Sequence, residues 1–139
     1  MMSKAVENLV EAQEFAMSIR PKVGGFPYLA EALRLAGVTR NRWFLPSCQS
    51  VYLTKVGAIV SQGTPLLIGN ADIPKFDREA LIRALRIDQA GQSTFSEFLK
   101  ASWEAGVISY EVDLENRKVT YCGAFGESYV EDYLAVEIR

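Results

Sequence analysis

Five residues carry the strongest chemical suggestion in this chain: Arg40, Arg42, Tyr110, Glu111 and Asp113. Residues two apart on an extended strand share a face. Arg40 and Arg42 would therefore present two guanidinium groups together, and Glu111 and Asp113 two carboxylates. Paired guanidinium groups can clamp a carboxylate or phosphate through forked N–H donors, with Glu111 or Asp113 orienting such a small anionic ligand. Two close carboxylates can also split their pKa values and act as acid and base, here with Tyr110 beside them. That chemistry needs a partly buried cleft. In its absence, the same side chains form a solvent-exposed cross-strand set of ion pairs.

Other chemistry is limited by composition. The chain has no histidine, which excludes His-based triads, His metal ligands and the usual near-neutral general base. Cys48 and Cys122 are far apart, and no Cys-x-x-Cys pair exists, so neither a zinc site nor a disulfide is expected. Cys48 lacks a histidine that could activate it as a nucleophile. The glycines form neither a dinucleotide-binding fingerprint nor a P-loop. No cofactor and no metal is expected.

Charge and hydropathy narrow the partners. Lysine and arginine total 15 against 17 acidic residues, for a net charge of −2. Nucleic acid is therefore not an expected partner, although Arg40, Arg42 and Trp43 lie close together. Glu7, Glu11 and Glu14 interrupt the N-terminal segment, and no run of apolar residues is long enough to span a bilayer. A cytoplasmic protein with free thiols and no membrane partner is the expectation.

These residues need a scaffold. At 139 residues, 49% of them apolar, the chain is expected to be one domain over 1–139 with a full core. Helices are expected over about 3–20, 27–36, 77–89 and 94–105. Ser3 caps the first, Pro27 opens the second, Thr94 and Glu97 form a capping box on the fourth, and Gly37, Gly91 and Gly106 stop three of them. Phe95, Phe98 and Leu99 should face inward from the fourth helix, with Trp103 at a core edge or a subunit contact.

The chain also contains a repeat. A shift of 69 positions lays Phe26 on Phe95, Ala32 on Ala101, Ala36-Gly37-Val38 on Ala105-Gly106-Val107, Leu45 on Leu114, Tyr52 on Tyr121 and Gly57 on Gly126. Two helix-strand-strand copies follow, over about 26–57 and 95–126, joined by a linking strand and helix over about 58–91. In the second copy Ile108, Tyr110, Val112 and Leu114 alternate with Val107, Ser109, Glu111 and Asp113, which predicts a sheet with one buried face. The same parity turns Thr39, Asn41, Trp43 and Leu45 inward, and Val38, Arg40, Arg42 and Phe44 outward. Ala58–Val60 extends the sheet, Leu66–Ile68 adds an edge, and Ser128–Val130 supplies a further strand. The predicted fold is α+β: a mostly antiparallel sheet with helices on one face, its two repeats in pseudo-twofold relation.

The segments Asp88-Gln89-Ala90-Gly91, Phe95, Glu104-Ala105-Gly106-Val107, Val112-Asp113-Leu114, Val119-Thr120-Tyr121 and Gly126-Glu127 resemble the YbcV-like family. Phe26-Pro27, Ala36-Gly37-Val38 and Val51-Tyr52 extend the resemblance into the first copy. Members are small bacterial proteins, sometimes labelled phage envelope protein, with no established activity. Relatives often carry a histidine where this chain has Asp88. The resemblance implies one α+β domain and supplies no catalytic residue.

The expected function is a non-catalytic ligand-binding or protein-interaction module, in a homodimer or with a small anionic ligand. The alternative is a small enzyme using carboxylate and tyrosine acid–base chemistry, without histidine or metal. It requires a carboxylate whose pKa is raised by burial.

Overall fold

The computed structural model describes residues 3–138. Two helices, α1 (Lys4–Ile19) and α2 (Phe26–Leu35), lead into three strands, β1 (Val38–Phe44), β2 (Gln49–Thr54) and β3 (Gly57–Gln62). The order then repeats with α3 (Arg78–Gln89), α4 (Phe95–Glu104), β4 (Ser109–Asp113), β5 (Lys118–Cys122) and β6 (Ser128–Asp132). The strands form one antiparallel sheet in the order β3-β2-β1-β4-β5-β6. Each half is thus a three-stranded meander, and the halves meet where β1 pairs with β4.

Local signals set the helix ends. Ser3 and Asp77 cap α1 and α3 by accepting from Val6 N and Ala80 N. Thr94 and Glu97 exchange both bonds of a capping box. Gly37 and Gly106 follow α2 and α4 at φ +96° and +88°, the left-handed region that ends a helix without strain only for glycine.

The offset of 69 recurs in the backbone. Leu45 N donates to Ile108 O, and the matching Leu114 N donates to Thr39 O. Cys48 and Arg117, also 69 apart, take φ +52° and +54° in the turns after β1 and β4.

All four helices cover one sheet face. Tyr52, Ile59, Tyr110, Val112, Val119 and Tyr121 are buried there with Leu9, Leu33, Leu81, Phe98 and Leu99. Among the described residues, no helix is long and apolar enough to cross a membrane.

Three sequence expectations are corrected. Val38 and Val107 are sealed in the core rather than turned outward. Each follows a helix-stopping glycine, where the chain turns under its helix before strand alternation begins, and the β1–β2 register slips between Val38 and Arg40. Leu66–Ile68 adds no edge strand; β3 is the edge, and Ile68 lies exposed in the connection to α3. Phe95 is half-exposed on α4, although Phe98 and Leu99 are buried as expected.

Candidate functional site

Strand parity divides the proposed site residues between opposite faces of the sheet. Arg40, Arg42, Glu111 and Asp113 project from the uncovered face of β1 and β4. Arg40 stands opposite Asp113, and Arg42 opposite Glu111. Glu111 accepts from Arg40 Nη1 at 3.2 Å and from Arg42 Nη2 at 3.1 Å. Arg40 Nη2 also lies 3.6 Å from Asp113 Oδ2.

Each of these groups has another job or an open view of water. Asp113 accepts from Glu115 N, Asn116 N and Asn116 Nδ2 at 2.9–3.1 Å, which fixes the turn from β4 to β5. The Asn116 side chain is the main cause holding its carboxyl below the ordinary range, ahead of Arg40. The arginine side chains remain 44% and 54% exposed, so water screens the ion pairs. The surroundings are partly apolar: Leu53, Val60 and Val130 project from the same face and are half-exposed.

Tyr110 belongs to the covered face. Its ring lies between Trp43, with centroids 6.2 Å apart, and Tyr121, at 5.6 Å. Tyr129 extends the row at 6.4 Å from Tyr121. The four rings occupy consecutive register positions on β1, β4, β5 and β6, where cross-strand neighbours pack. Phe95 closes one end, edge-on to Trp43 at 5.1 Å. The Arg78 guanidinium covers the other, 4.9 Å above Tyr129.

Polar groups from α3 meet this row. Glu131 accepts from Arg86 at 2.9 and 3.0 Å, from Gln89 at 2.7 Å and from the Tyr129 hydroxyl at 2.7 Å. Burial pushes the Glu131 carboxyl up, but these donors outweigh it and hold the group below its ordinary range. Asp88 behaves oppositely. Burial raises its carboxyl, against the hydrogen bond from Ser93 and the attraction of Arg20. Burial likewise raises the Tyr110 and Tyr121 hydroxyls, with the Asp88 charge adding to both. Those two hydroxyls have no hydrogen-bond partner among the described residues, yet neither is sealed; the sealed and unpartnered side-chain atom is Ser102 Oγ.

Sequence reasoning placed the charged quartet on one face and missed the neighbourhood of Asp88 and Glu131. The contrast of Asp88 with the YbcV-like pattern was one signal. The spacing of Arg86 and Gln89, three apart on α3 and both reaching Glu131, was another.

A second polar region lies at the far end of the sheet. There a groove of about 350 Å³ is bordered by Arg34, Lys55, Arg117 and Glu31. Arg34 is already forked onto Glu31 at 2.8 and 2.7 Å. Tyr133 stands nearby, its hydroxyl pushed up to about 12 chiefly by burial.

The chain is 54% identical over 136 residues to the uncharacterised protein Mb2035 of Mycobacterium bovis, covering 98% of this chain and 83% of that protein. The uncharacterised proteins MT2067 and Rv2012 of two Mycobacterium tuberculosis strains match with the same identity and the same coverage. Residues 14–131, which include the charged quartet, the aromatic row, Asp88 and Glu131, match the family described as "Protein of unknown function (DUF1398)". By that match across most of its length, the chain belongs to the DUF1398 family.

Proposed function

We propose that this protein is a non-catalytic interaction module whose working surface is the uncovered face of the sheet. One observation carries the reading: half-exposed Leu53, Val60 and Val130 flank half-exposed ion pairs on a face that, among the described residues, no helix covers. A sheet face that only meets water tends to be polar at every outward position. Exposed aliphatic groups mixed with arginine are the composition of a recognition surface. A small anion binding at Arg40 and Arg42 would have to displace Glu111, which makes protein contact the stronger reading. The equal offsets in the two halves support descent from one duplicated module, and the motif segments support kinship with YbcV-like proteins.

Cys122 offers a test, because it sits on this face in register with Ser109 and is a partly exposed free thiol. Maleimide should label it readily in dilute purified protein and slowly in freshly broken cells, with buried Cys48 slow in both. Equal labelling of Cys122 in both samples overturns the reading.

A second reading is favoured by Asp88. It is a carboxylate raised by burial, and its field reaches two unpartnered tyrosine hydroxyls. That is the element acid–base chemistry without histidine requires. In this reading Asp88, Tyr110 and Tyr121 replace Glu111 and Asp113 as the reactive set. Substrate-dependent turnover abolished by both Asp88→Asn and Tyr110→Phe, with the fold kept, would support it. Turnover retained in either variant would reject it.

A further inference from the structure

We infer that the uncovered sheet face packs against the same face of a second copy of this chain, related by a twofold axis parallel to the strands. The inference rests on the interaction reading above and names its partner.

The charge pattern selects both the partner and the axis. The basic pair Arg40 and Arg42 occupies β1, and the acidic pair Glu111 and Asp113 occupies the adjacent β4. With their strands aligned, two such faces can meet symmetrically in two ways. An axis perpendicular to the strands, lying in the interface, sets β1 on β1 and arginine against arginine, which is repulsive. An axis parallel to the strands, running between β1 and β4, sets β1 of one protomer on β4 of its partner. Arg42 then faces the partner's Glu111, and Arg40 faces the partner's Asp113. The contact is self-complementary, as an isologous twofold interface requires.

Two of the three aliphatic residues obey the same operation, while Leu53 falls over the partner's Lys118. Val60 and Val130 lie on the outermost strands, in the same cross-strand row as Arg42 and Glu111. Rotation about the parallel axis places Val60 over the partner's Val130. The central ion pairs become shielded from water, and the flanking valines cover one another.

The dimensions suit a reversible dimer. Six strands about 4.8 Å apart, each with about five residues rising 3.4 Å, give a footprint of roughly 500 Å² per protomer. Counting both partners gives about 1,000 Å², near the lower limit for a specific interface. Association should therefore depend on concentration and weaken with salt.

Two charge variants and one cross-link test this. Arg40→Glu with Arg42→Glu makes the centre of the face acidic, and Glu111→Arg with Asp113→Arg makes it basic. In sedimentation the natural protein should self-associate at its highest soluble concentration, and each variant should remain a monomer. An equimolar mixture of the two variants should form a heterodimer. Circular dichroism checks that each variant is folded. If either is not, the double variant Val60→Cys, Val130→Cys on a Cys122→Ser background tests the same contact without changing charge. Those positions lie at opposite edges of one sheet, so joining them within a protomer is impossible for a short linker. Facing sheets lie about 10 Å apart, too far for a disulfide but within reach of a short bis-maleimide. A covalent dimer supports the inference. A natural protein that stays a 15.5 kDa species, or charge variants that dimerise alone, overturns it. If the natural protein is monomeric while Cys122 is still shielded in broken cells, the second copy fails and the interaction reading stands; without shielding, both fail.

Discussion

Arg42 and Glu111 face each other across the centre of the sheet. They are 69 residues apart, the separation of the two helix-ending glycines, and they are direct register partners on β1 and β4. Like charges directly opposite each other on neighbouring strands are destabilising. Arginine on β1 and glutamate on β4 make a hydrogen bond of 3.1 Å there instead.

Because this pair is half-exposed, its removal should cost little. Glu111→Gln should lower the unfolding free energy by about 0.2–1 kcal/mol per arginine released. The loss should shrink when urea unfolding is repeated in high salt. A loss of several kcal/mol that salt leaves unchanged would mean that these ion pairs are buried, contrary to the exposure of their arginines.

Glu131 should matter more. It accepts four hydrogen bonds, and its side chain is only 17% exposed. Glu131→Gln should cost about 1–3 kcal/mol near neutral pH, the scale for bonds to a charged acceptor. The folded carboxyl sits below its ordinary value of 4.5. Its contribution is therefore complete above that value and disappears as pH falls through the lower, folded pKa. Urea midpoints of the natural protein and the variant should differ at pH 7 and converge at strongly acidic pH.

Asp88 should show the opposite trend. Burial raises its folded carboxyl above the ordinary value of 3.8, so the native state holds its proton longer than the unfolded chain does. The associated stability is present below that ordinary value and is lost as pH rises through the folded pKa. Asp88→Asn removes the charge but keeps an oxygen to accept from Ser93. Its urea midpoint should exceed that of the natural protein at pH 7 and match it at pH 3. A lower midpoint at pH 7 would mean that attraction to Arg20 outweighs burial.

The parts legible in the sequence were those where one local rule acts alone. The alternation from Ile108 to Leu114 identified a half-buried strand, and Thr94 with Glu97 fixed a helix start. Parity failed at Val38 and Val107, because a residue leaving a helix is positioned by that helix before it joins the ladder. It had already put Tyr110 and Glu111 on opposite faces, although the proposed acid–base set combined them. Adjacent on the chain, they lie on opposite faces, one beneath helices and the other in water. The set around Asp88 and Glu131 joins residues more than 40 positions apart, and no local pattern encodes that meeting.

Ser102 tests the core directly. Its hydroxyl is sealed and has no hydrogen-bond partner. Burying a polar group without compensation is unfavourable, and alanine removes only that oxygen. Ser102→Ala should therefore be neutral or stabilising, by up to about 1 kcal/mol. Thermal and urea unfolding measure it, and a marked loss would imply that the oxygen has a partner in solution.

The two helix-ending glycines separate backbone strain from packing. Gly37 and Gly106 share nearly the same positive φ, so alanine at either should cost about 1–2 kcal/mol from conformation alone. Their surroundings differ. A Cβ on Gly37 would meet nothing closer than Lys55 Cβ at 3.9 Å, whereas one on Gly106 would fall 2.5 Å from Phe76 Cα and 2.6 Å from the Lys75 backbone. The segment before α3 is also bonded here, with Asp77 N donating to Ala105 O at 2.7 Å, so backbone cannot move aside cheaply. Gly106→Ala should therefore cost about 1–3 kcal/mol more than Gly37→Ala, the range for overpacking a tight site. Equal losses in urea unfolding would show that the connection before α3 yields, and that α4 is held in place by its own buried face rather than by this contact.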